Sequence, residues 1–131
     1  LGSVLSSFFT GLRDGFILGI KAEDGRVLVP PQEYDPGSGI SLTELIPVED
    51  TGTVTTWSWV SSPRKKHPLG KPFAWALIKL DGADTALLHV VEAQSIDVMK
   101  TGMRVRAKWA QERVGFITDI LSFEPVGESY E

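Results

Sequence analysis

The first apolar stripe along the chain has helical spacing and predicts a helix over residues 3–13. Its members are Val4, Leu5, Phe8, Phe9 and Leu12. Such a recurrence lies on one face of a helix, and Gly15 is a suitable stop signal. Because so short a helix is marginal by itself, the stripe must pack against the chain's own core or in a groove of a partner. For the second alternative we predict Phe8, Phe9 and Leu12 as partner-interface residues.

The next segment, residues 19–39, is rich in turn formers, with four glycines and three prolines. A short extended piece at 26–29 runs into a Pro-Pro pair. This pattern predicts a small hairpin or knuckle and not a helix. We expect residues 40–46 to form a short connector.

From residue 48 onward, β-branched and aromatic residues alternate with turn signals and predict five strands. The expected strands are 53–60, 73–80, 85–91, 103–109 and 115–123, with one helical turn at 96–101. This order matches a small Greek-key barrel, the OB fold. The predicted fold class is therefore mainly β, a five-stranded OB-fold barrel preceded by an N-terminal helix and a knuckle. We assign the helix and knuckle to residues 1–46 and the barrel to 47–131.

Composition narrows the possible functions. The chain has 131 residues and no cysteine, which excludes disulfides, a thiolate zinc site and a cysteine nucleophile. The net charge is −4, and an acidic protein repels phosphate backbones, so we predict no nucleic-acid partner. No apolar run approaches the ~18–20 residues that span a bilayer, so we predict no membrane partner. The absence of cysteine fits a reducing cytoplasm.

The two histidines of the chain, His67 and His89, do not suggest a catalytic site. His89 lies in a predicted strand on the face of Leu87 and Val91, where a buried, hydrogen-bonded histidine is expected. No serine or carboxylate stands in a spacing that suggests a catalytic triad with either ring, and no phosphate-binding glycine loop is present. We therefore predict no catalytic residue.

A basic loop is the best candidate for contact with a ligand. It holds Arg64, Lys65, Lys66 and His67 between prolines that restrict its conformations. Arginine binds phosphate oxygens in a bidentate manner, and coenzyme A carries several such groups. Contact with coenzyme A, contact with an acidic partner surface and simple exposure to solvent all remain open for this loop.

Two tryptophans, Trp57 and Trp59, lie two residues apart on a predicted strand and therefore share a face. Core packing accounts for one large aromatic side chain there. A protein interface accounts for the surplus, because aromatic residues are common interface anchors. We predict Trp57 and Trp59 as further interface residues.

Four segments in order resemble a known family. They are KPFAWALIKLDG at 71–82, LLHVV at 87–91, IDVMKTGMRVR at 96–106 and FEP at 123–125. Together they are similar to the OB-fold subunits of the DUF35 type, which are encoded beside thiolase-like and acyl-CoA enzymes. The resemblance extends over nearly the whole chain, although no single segment is specific.

Proteins of that family usually carry a rubredoxin-like zinc ribbon between the helix and the barrel, with the pattern C-x-x-C-G, Pro-Pro, C-P-x-C-G. The resemblance places Lys21, Asp24, Asp35 and Ser38 at the four cysteine positions. These side chains cannot form a thiolate cage, so we predict a degenerate knuckle without metal. We expect Lys21 to pair with Asp24 or Asp35. A hard-cation site at the two carboxylates is a minor alternative.

Zinc-free members of the family resemble subunits paired with lipid-transfer-type, thiolase-like aldolases. The resemblance implies a non-catalytic accessory subunit of an aldolase that cleaves steroid side-chain β-hydroxyacyl-CoA by a retro-aldol reaction. It implies no cofactor for this chain, acyl-CoA bound mainly by the partner, a two-plus-two heterotetramer, and possible association with a MaoC-type hydratase. The alternatives are a subunit of another thiolase or acyltransferase complex, a single-stranded nucleic-acid-binding OB protein, and an independent acyl-CoA enzyme.

Overall fold

The computed structural model describes residues 2–61 and 71–126, which form one helix, a small sheet and a barrel. The helix is α1 (Ser3–Arg13), and the strands are β1 (Ile17–Lys21), β2 (Val27–Leu28), β3 (Leu45–Val48), β4 (Thr51–Val60), β5 (Phe73–Leu80), β6 (Ala86–Val91), β7 (Arg104–Trp109) and β8 (Ile120–Val126). Short 3₁₀ turns occur at Ile96–Val98 and Ile117–Asp119. The small sheet has the order β2-β1-β3, and the barrel closes in the order β4-β5-β6-β8-β7. The predicted mainly β fold with a five-stranded barrel and an N-terminal helix is confirmed.

The helix α1 lies at the predicted residues but serves the chain's own core. Phe8 is 2% exposed and Leu12 is 0% exposed, and both belong to the same cluster of buried side chains as the barrel interior. Their prediction as partner-interface residues is therefore wrong, because the stripe is already covered. Phe9 is half-buried, and its ring stacks on Phe116 with centroids 5.3 Å apart. Phe9 alone of the three keeps some surface toward solvent.

Strand β1 is the middle strand of the small sheet. It pairs with β2 on one side and with β3 on the other, both antiparallel. The sequence prediction of a connector over 40–46 missed β3, because Pro47 suggested a break. Pro47 lies opposite Leu18 in an edge strand, where the missing N–H of proline is tolerated. The predicted domain boundary at 46/47 falls inside this strand.

The barrel interior follows the alternation of β5. Ala74, Ala76, Ile78 and Leu80 point inward and are at most 1% exposed. The core cluster also contains Ile17 and Val29 from the N-terminal part of the chain. The helix and the knuckle therefore pack on the barrel through shared apolar side chains.

The last predicted strand, 115–123, begins later than expected. Residues 115–119 form a turn that ends in the 3₁₀ segment, and β8 begins at Ile120. The side chain of Asp119 accepts the backbone N–H groups that a strand would offer to its neighbour, and such local bonds compete with a sheet. In the part of the chain that the structure describes, no helix combines the length and the apolar character that crossing a bilayer requires.

Candidate functional site

The knuckle is organised around one carboxylate, Asp35, which is 9% exposed. Its Oδ1 accepts the N–H of Glu23 at 2.9 Å, and its Oδ2 accepts the N–H of Gly37 at 2.9 Å and of Ser38 at 3.0 Å. The Ser38 hydroxyl donates to the same Oδ2 at 3.3 Å. The backbone hydrogen bond from Glu23 lowers the pKa of Asp35, and the bonds from Ser38 and Gly37 add to this effect. Asp35 therefore joins two separate turns as an ionised group.

The other two positions of the degenerate ribbon behave differently. Asp24 accepts the Arg26 guanidinium Nε at 2.8 Å and the Arg26 backbone N–H at 3.0 Å. These backbone and side-chain bonds from Arg26 lower the pKa of Asp24. Lys21 lies exposed at the end of β1. The expected ion pair of Lys21 with Asp24 or Asp35 is not found among the described residues, since Asp24 pairs with Arg26 and backbone donors occupy Asp35.

A zinc ion does not fit this arrangement. The family ribbon needs four ligands of the thiolate or imidazole kind, whereas the side chains here are an amine, a hydroxyl and two carboxylates. Both oxygens of Asp35 are directed at N–H and O–H donors, which suit an anion and repel a cation. Within residues 2–61 and 71–126, no group of three or more His, Cys, Asp or Glu side chains is arranged to hold a metal ion.

A second buried carboxylate, Asp119, builds the turn at residues 114–116. It is 2% exposed and accepts the backbone N–H groups of Val114 at 2.9 Å, Gly115 at 2.7 Å and Phe116 at 3.1 Å. Burial raises the pKa of Asp119, but these three bonds together outweigh it and hold the pKa below the ordinary value. The turn presents Val114, which is 76% exposed, and Phe116, which is 51% exposed.

Apart from Val114 and Phe116, an apolar surface lies on the outer face of the barrel. Trp75, Leu77 and Leu88 are 39%, 37% and 59% exposed. Leu77 on β5 lies directly opposite Leu88 on β6, and Trp75 lies on the same face two residues away. We call these three side chains the sheet patch. The sequence prediction missed it, although the small inward residues Ala74 and Ala76 could have shown which face was outward.

The tryptophans predicted at an interface are not on that face. Trp57 and Trp59 lie opposite Ala76 and Ala74, are half-buried and pack against the core cluster. Each of these side chains packs partly against the core and leaves part of its surface exposed. Their role in an interface stays a prediction.

The predicted basic loop of Arg64, Lys65, Lys66 and His67 lies outside the described residues. Beside it in sequence, Lys71 lines an open groove of about 780 Å³. The charged side chains of this groove are Lys71, Lys100, Arg104, Glu92, Asp97 and Glu124. Among the described residues, cations and carboxylates line the groove in equal numbers, so these side chains give it no net positive charge to attract the phosphates of coenzyme A.

His89 is a buried histidine, as expected from its strand position. It is 8% exposed, its Nδ1 accepts the N–H of Val90 at 2.9 Å, and its ring meets Phe123 edge-to-face at 5.2 Å. Burial lowers the pKa of His89. The imidazole is therefore neutral at pH 7 and is packed as a core side chain.

The exposed cations of β7 are matched by acids. Arg104 binds Asp81, Arg106 Nε lies 3.1 Å from a Glu124 oxygen, and Lys108 Nζ lies 3.4 Å from a Glu92 oxygen. These three cations lie on one face of β7, and their charge is therefore neutralised by the acids. A phosphate backbone would find no unpaired basic row there.

Comparisons with known proteins agree with this fold. Residues 45–110 match the family described as ChsH2, C-terminal OB-fold domain. A DUF35 domain-containing scaffold protein of Pyrococcus furiosus is 26% identical over 102 residues, which cover 77% of this chain and 74% of that protein.

Two solved structures are similar. A DUF35-family protein of unknown function from Sulfolobus solfataricus has a TM-score of 0.65 and 23% identity, over 81% of this chain and 78% of that chain. A chain of an Ltp2-ChsH2(DUF35) aldolase has a TM-score of 0.67 and 19% identity, over 95% of this chain and 96% of that chain. At these identities the two structures establish a shared fold. Since the family match extends over half of the sequence, this chain belongs to the family of ChsH2-type, DUF35 OB-fold domains.

Proposed function

We propose that this chain is a non-catalytic accessory subunit that docks onto a thiolase-like enzyme. The family match and the fold shared with a chain of an Ltp2-ChsH2(DUF35) aldolase support this role. So does the relative named as a scaffold protein. The finer proposal is a lipid-transfer-type aldolase that cleaves steroid side-chain β-hydroxyacyl-CoA by a retro-aldol reaction.

The sheet patch is the observation that carries the proposal. Trp75, Leu77 and Leu88 expose large apolar side chains side by side on the outer face of a well-formed sheet. Contiguous apolar side chains exposed to water cost free energy and commonly mark protein interfaces. Tryptophan is also prominent among the residues that dominate binding energy. A rigid sheet presents these side chains without a large ordering cost on binding.

The occupant we propose for the sheet patch is an apolar surface of the aldolase subunit. The reactive groups and the acyl-CoA site belong to that partner, and this chain supports them from outside. Two copies of each chain form the complex, as expected when a dimeric enzyme offers the same surface twice. A MaoC-type hydratase is a possible further member of the assembly.

A nucleic-acid-binding role is the rival from another class. OB folds that bind single strands combine aromatic platforms with a basic groove. Here the cations of β7 are paired with Asp81, Glu124 and Glu92, and the whole chain carries a charge of −4. Oligonucleotide binding with a steep dependence on salt would favour this rival.

The proposal is tested by co-expression with thiolase-like proteins encoded in neighbouring reading frames, followed by size-exclusion chromatography. We expect a stable complex with one of them, which cleaves a steroid side-chain β-hydroxyacyl-CoA, while this chain alone does not turn it over. Complex formation without that cleavage would keep the accessory role and move it to another thiolase or acyltransferase. No complex with any thiolase-like partner, or turnover by this chain alone, would overturn the proposal.

Variants of the sheet patch sharpen the test. Leu77→Glu combined with Leu88→Glu should weaken the complex roughly 100-fold, because an interface that buries unpaired carboxylates is destabilised by several kcal/mol. The matched control is Leu121→Glu, since Leu121 is 51% exposed on β8 outside the patch. Circular dichroism checks that both proteins are folded. A complex weakened equally by both variants would contradict the choice of this surface.

The basic loop supplies a separate proposal. Arg64→Glu with Lys66→Glu should weaken complex formation or turnover of the CoA ester, because the loop contacts either an acidic partner surface or the CoA phosphates. A higher Michaelis constant for the CoA ester with an intact complex would assign the loop to the substrate. A weaker complex would assign it to the partner, and unchanged behaviour would leave the loop in solvent.

A further inference from the structure

Two carboxylates of one knuckle loop, residues 33–42, bind two different segments that precede the loop in the chain. One is Asp35, which binds the turn at Glu23, and the other is Glu33, which binds the start of α1. We propose that Asp35 and Glu33 form a metal-free brace that holds the two turns of the knuckle together and fixes the knuckle to the first turn of the helix. The inference is independent of the proposed function.

The first half of the brace is the link between the two turns. The Asp35 carboxylate accepts a hydrogen bond from the backbone of Glu23, twelve residues earlier, and three from Gly37 and Ser38 in its own turn. Hydrogen bonds to a charged acceptor are stronger than neutral ones. One side chain thus closes a loop of twelve residues without a covalent link or an ion.

The second half is the cap of α1. Gly2 stands at the N-cap position and offers no side chain, so the first N–H groups of the helix need another acceptor. Glu33 supplies it, with Oε2 2.8 Å from the N of Leu5 and Oε1 3.3 Å from the N of Val4. A carboxylate at a helix N-terminus also interacts favourably with the helix dipole.

The two halves are connected by the backbone of the same loop. The N–H of Asp35 donates to the carbonyl of Ile40 at 2.8 Å, and the N–H of Leu42 donates to the carbonyl of Glu33 at 2.9 Å. Because Glu33 and Asp35 lie two residues apart in this loop, a substitution that shifts the backbone at Asp35 should also displace Glu33. The effect should be weaker in the other direction, since Asp35 has most of its donors within its own turn.

The test is hydrogen exchange of individual amides, measured by NMR on the whole chain. In Asp35→Asn the side chain keeps its size but offers an NH₂ group where N–H donors point. We expect the amides of Glu23, Gly37 and Ser38 to exchange roughly tenfold faster or more. Those of Val4 and Leu5 should also exchange faster, by a smaller factor.

Two matched variants give direction to the test. Asp24→Asn changes a second knuckle carboxylate, which accepts its hydrogen bonds from Arg26 and not from the amides in question, and it should leave the exchange of all five amides unchanged. Glu33→Gln should speed exchange at Val4 and Leu5 while Gly37 and Ser38 stay protected. Equal effects of Asp35→Asn and Asp24→Asn, or an Asp35→Asn effect confined to Gly37 and Ser38, would overturn the brace.

The wild-type protein decides the matter if Asp35→Asn does not fold. In the wild type, the amide proton resonances of Glu23, Gly37 and Ser38 should shift together in one titration as Asp35 is protonated at acid pH. Three unrelated titrations, or none, would contradict the shared acceptor.

A metal arm completes the experiment. The melting temperature of the wild type should be the same in EDTA and in added ZnCl₂, and the purified protein should hold no stoichiometric zinc. A melting temperature that falls in EDTA, or one zinc per chain, would show that a metal and not Asp35 holds the knuckle.

Discussion

The knuckle turn around Asp35 and the 114–116 turn around Asp119 use the same chemistry on different scales. Each carboxylate accepts three backbone N–H groups. Asp35 reaches twelve residues back to Glu23, whereas all the donors of Asp119 lie within five residues of it. The first carboxylate fixes two segments to each other, and the second fixes the shape of a single turn.

The two sites also differ in burial. Asp119 is 2% exposed and Asp35 is 9% exposed. For Asp119, burial is the largest single influence on the pKa and the donors oppose it together, whereas for Asp35 the bonds from Glu23 and Ser38 each outweigh burial. When a buried carboxylate loses its charge, the hydrogen bonds from its three donors weaken, and water is not at hand to replace them. The comparison therefore predicts that stability depends more on Asp119 and local geometry more on Asp35.

The largest expected effect is that of Asp119→Ala. It leaves the N–H groups of Val114, Gly115 and Phe116 without their acceptor, and it should lower the free energy of unfolding by about 2–4 kcal/mol. Gly115 has a φ of 88°, so the turn has no ordinary strand conformation available at that position. Urea unfolding followed by fluorescence measures the change. The control is Asp97→Ala, an exposed aspartate in the first 3₁₀ turn, and a loss as large as for Asp119 would refute the comparison.

The second prediction concerns the stability of the fold at acid pH. Both carboxylates have a pKa below the ordinary value of 3.8 in the folded protein. Their contribution to stability is therefore complete above about pH 5 and is lost as the pH falls through their folded pKa values. Urea midpoints should stay level between pH 7 and pH 5 and decline below pH 4. The decline should be shallower in Asp119→Ala, and an equal decline in both proteins would exclude Asp119 as a source.

The sequence predicted one of these turns and not the other. The run Asp-Pro-Gly-Ser-Gly at 35–39 is a recognisable turn, and the resemblance to a zinc ribbon marked Asp35 as a special position. The run at 115–123 alternates in polarity and was predicted as a strand. The donors of Asp119 all lie within five residues of it, but an alternation of polarity does not show whether a nearby side chain or a neighbouring strand accepts the backbone N–H groups.

The same limit applies to the surfaces. Strand β5 was predicted at its observed residues because seven of its eight residues are apolar. The small residues Ala74 and Ala76 mark its inward face, but the prediction did not use them, and so the sheet patch was missed while Trp57 and Trp59 on β4 were chosen. Phe8 and Leu12 show the converse, since a partner surface was predicted where the shared core lies. Helical spacing specifies the stripe but not what covers it.

A smaller effect is expected at Asp81, a carboxylate that is more exposed than Asp35 and Asp119. Its bonds from Arg104, and next from Thr51, lower the pKa of Asp81 to about 2. Because the Asp81 side chain is 39% exposed, solvent screens the interaction. We expect Asp81→Asn to lower the free energy of unfolding by less than about 1 kcal/mol. A loss equal to that of Asp119→Ala in the same urea titration would show that burial does not decide the ranking.

The smallest effect, of opposite sign, is expected at Ser122. Its hydroxyl is buried and has no hydrogen-bond partner among the described residues, whereas Asp119 accepts hydrogen bonds from three donors. A buried polar group without a partner costs free energy on folding. Ser122→Ala removes only this oxygen and should leave the urea midpoint unchanged or raise it, by up to about 1 kcal/mol. The comparison variant is Ser58→Ala, an exposed serine of β4, which should show no change. A clear loss of stability for Ser122→Ala alone would mean that its hydroxyl has a hydrogen-bond partner. Ser122 would then be a third buried polar side chain that stabilises the fold, after Asp35 and Asp119.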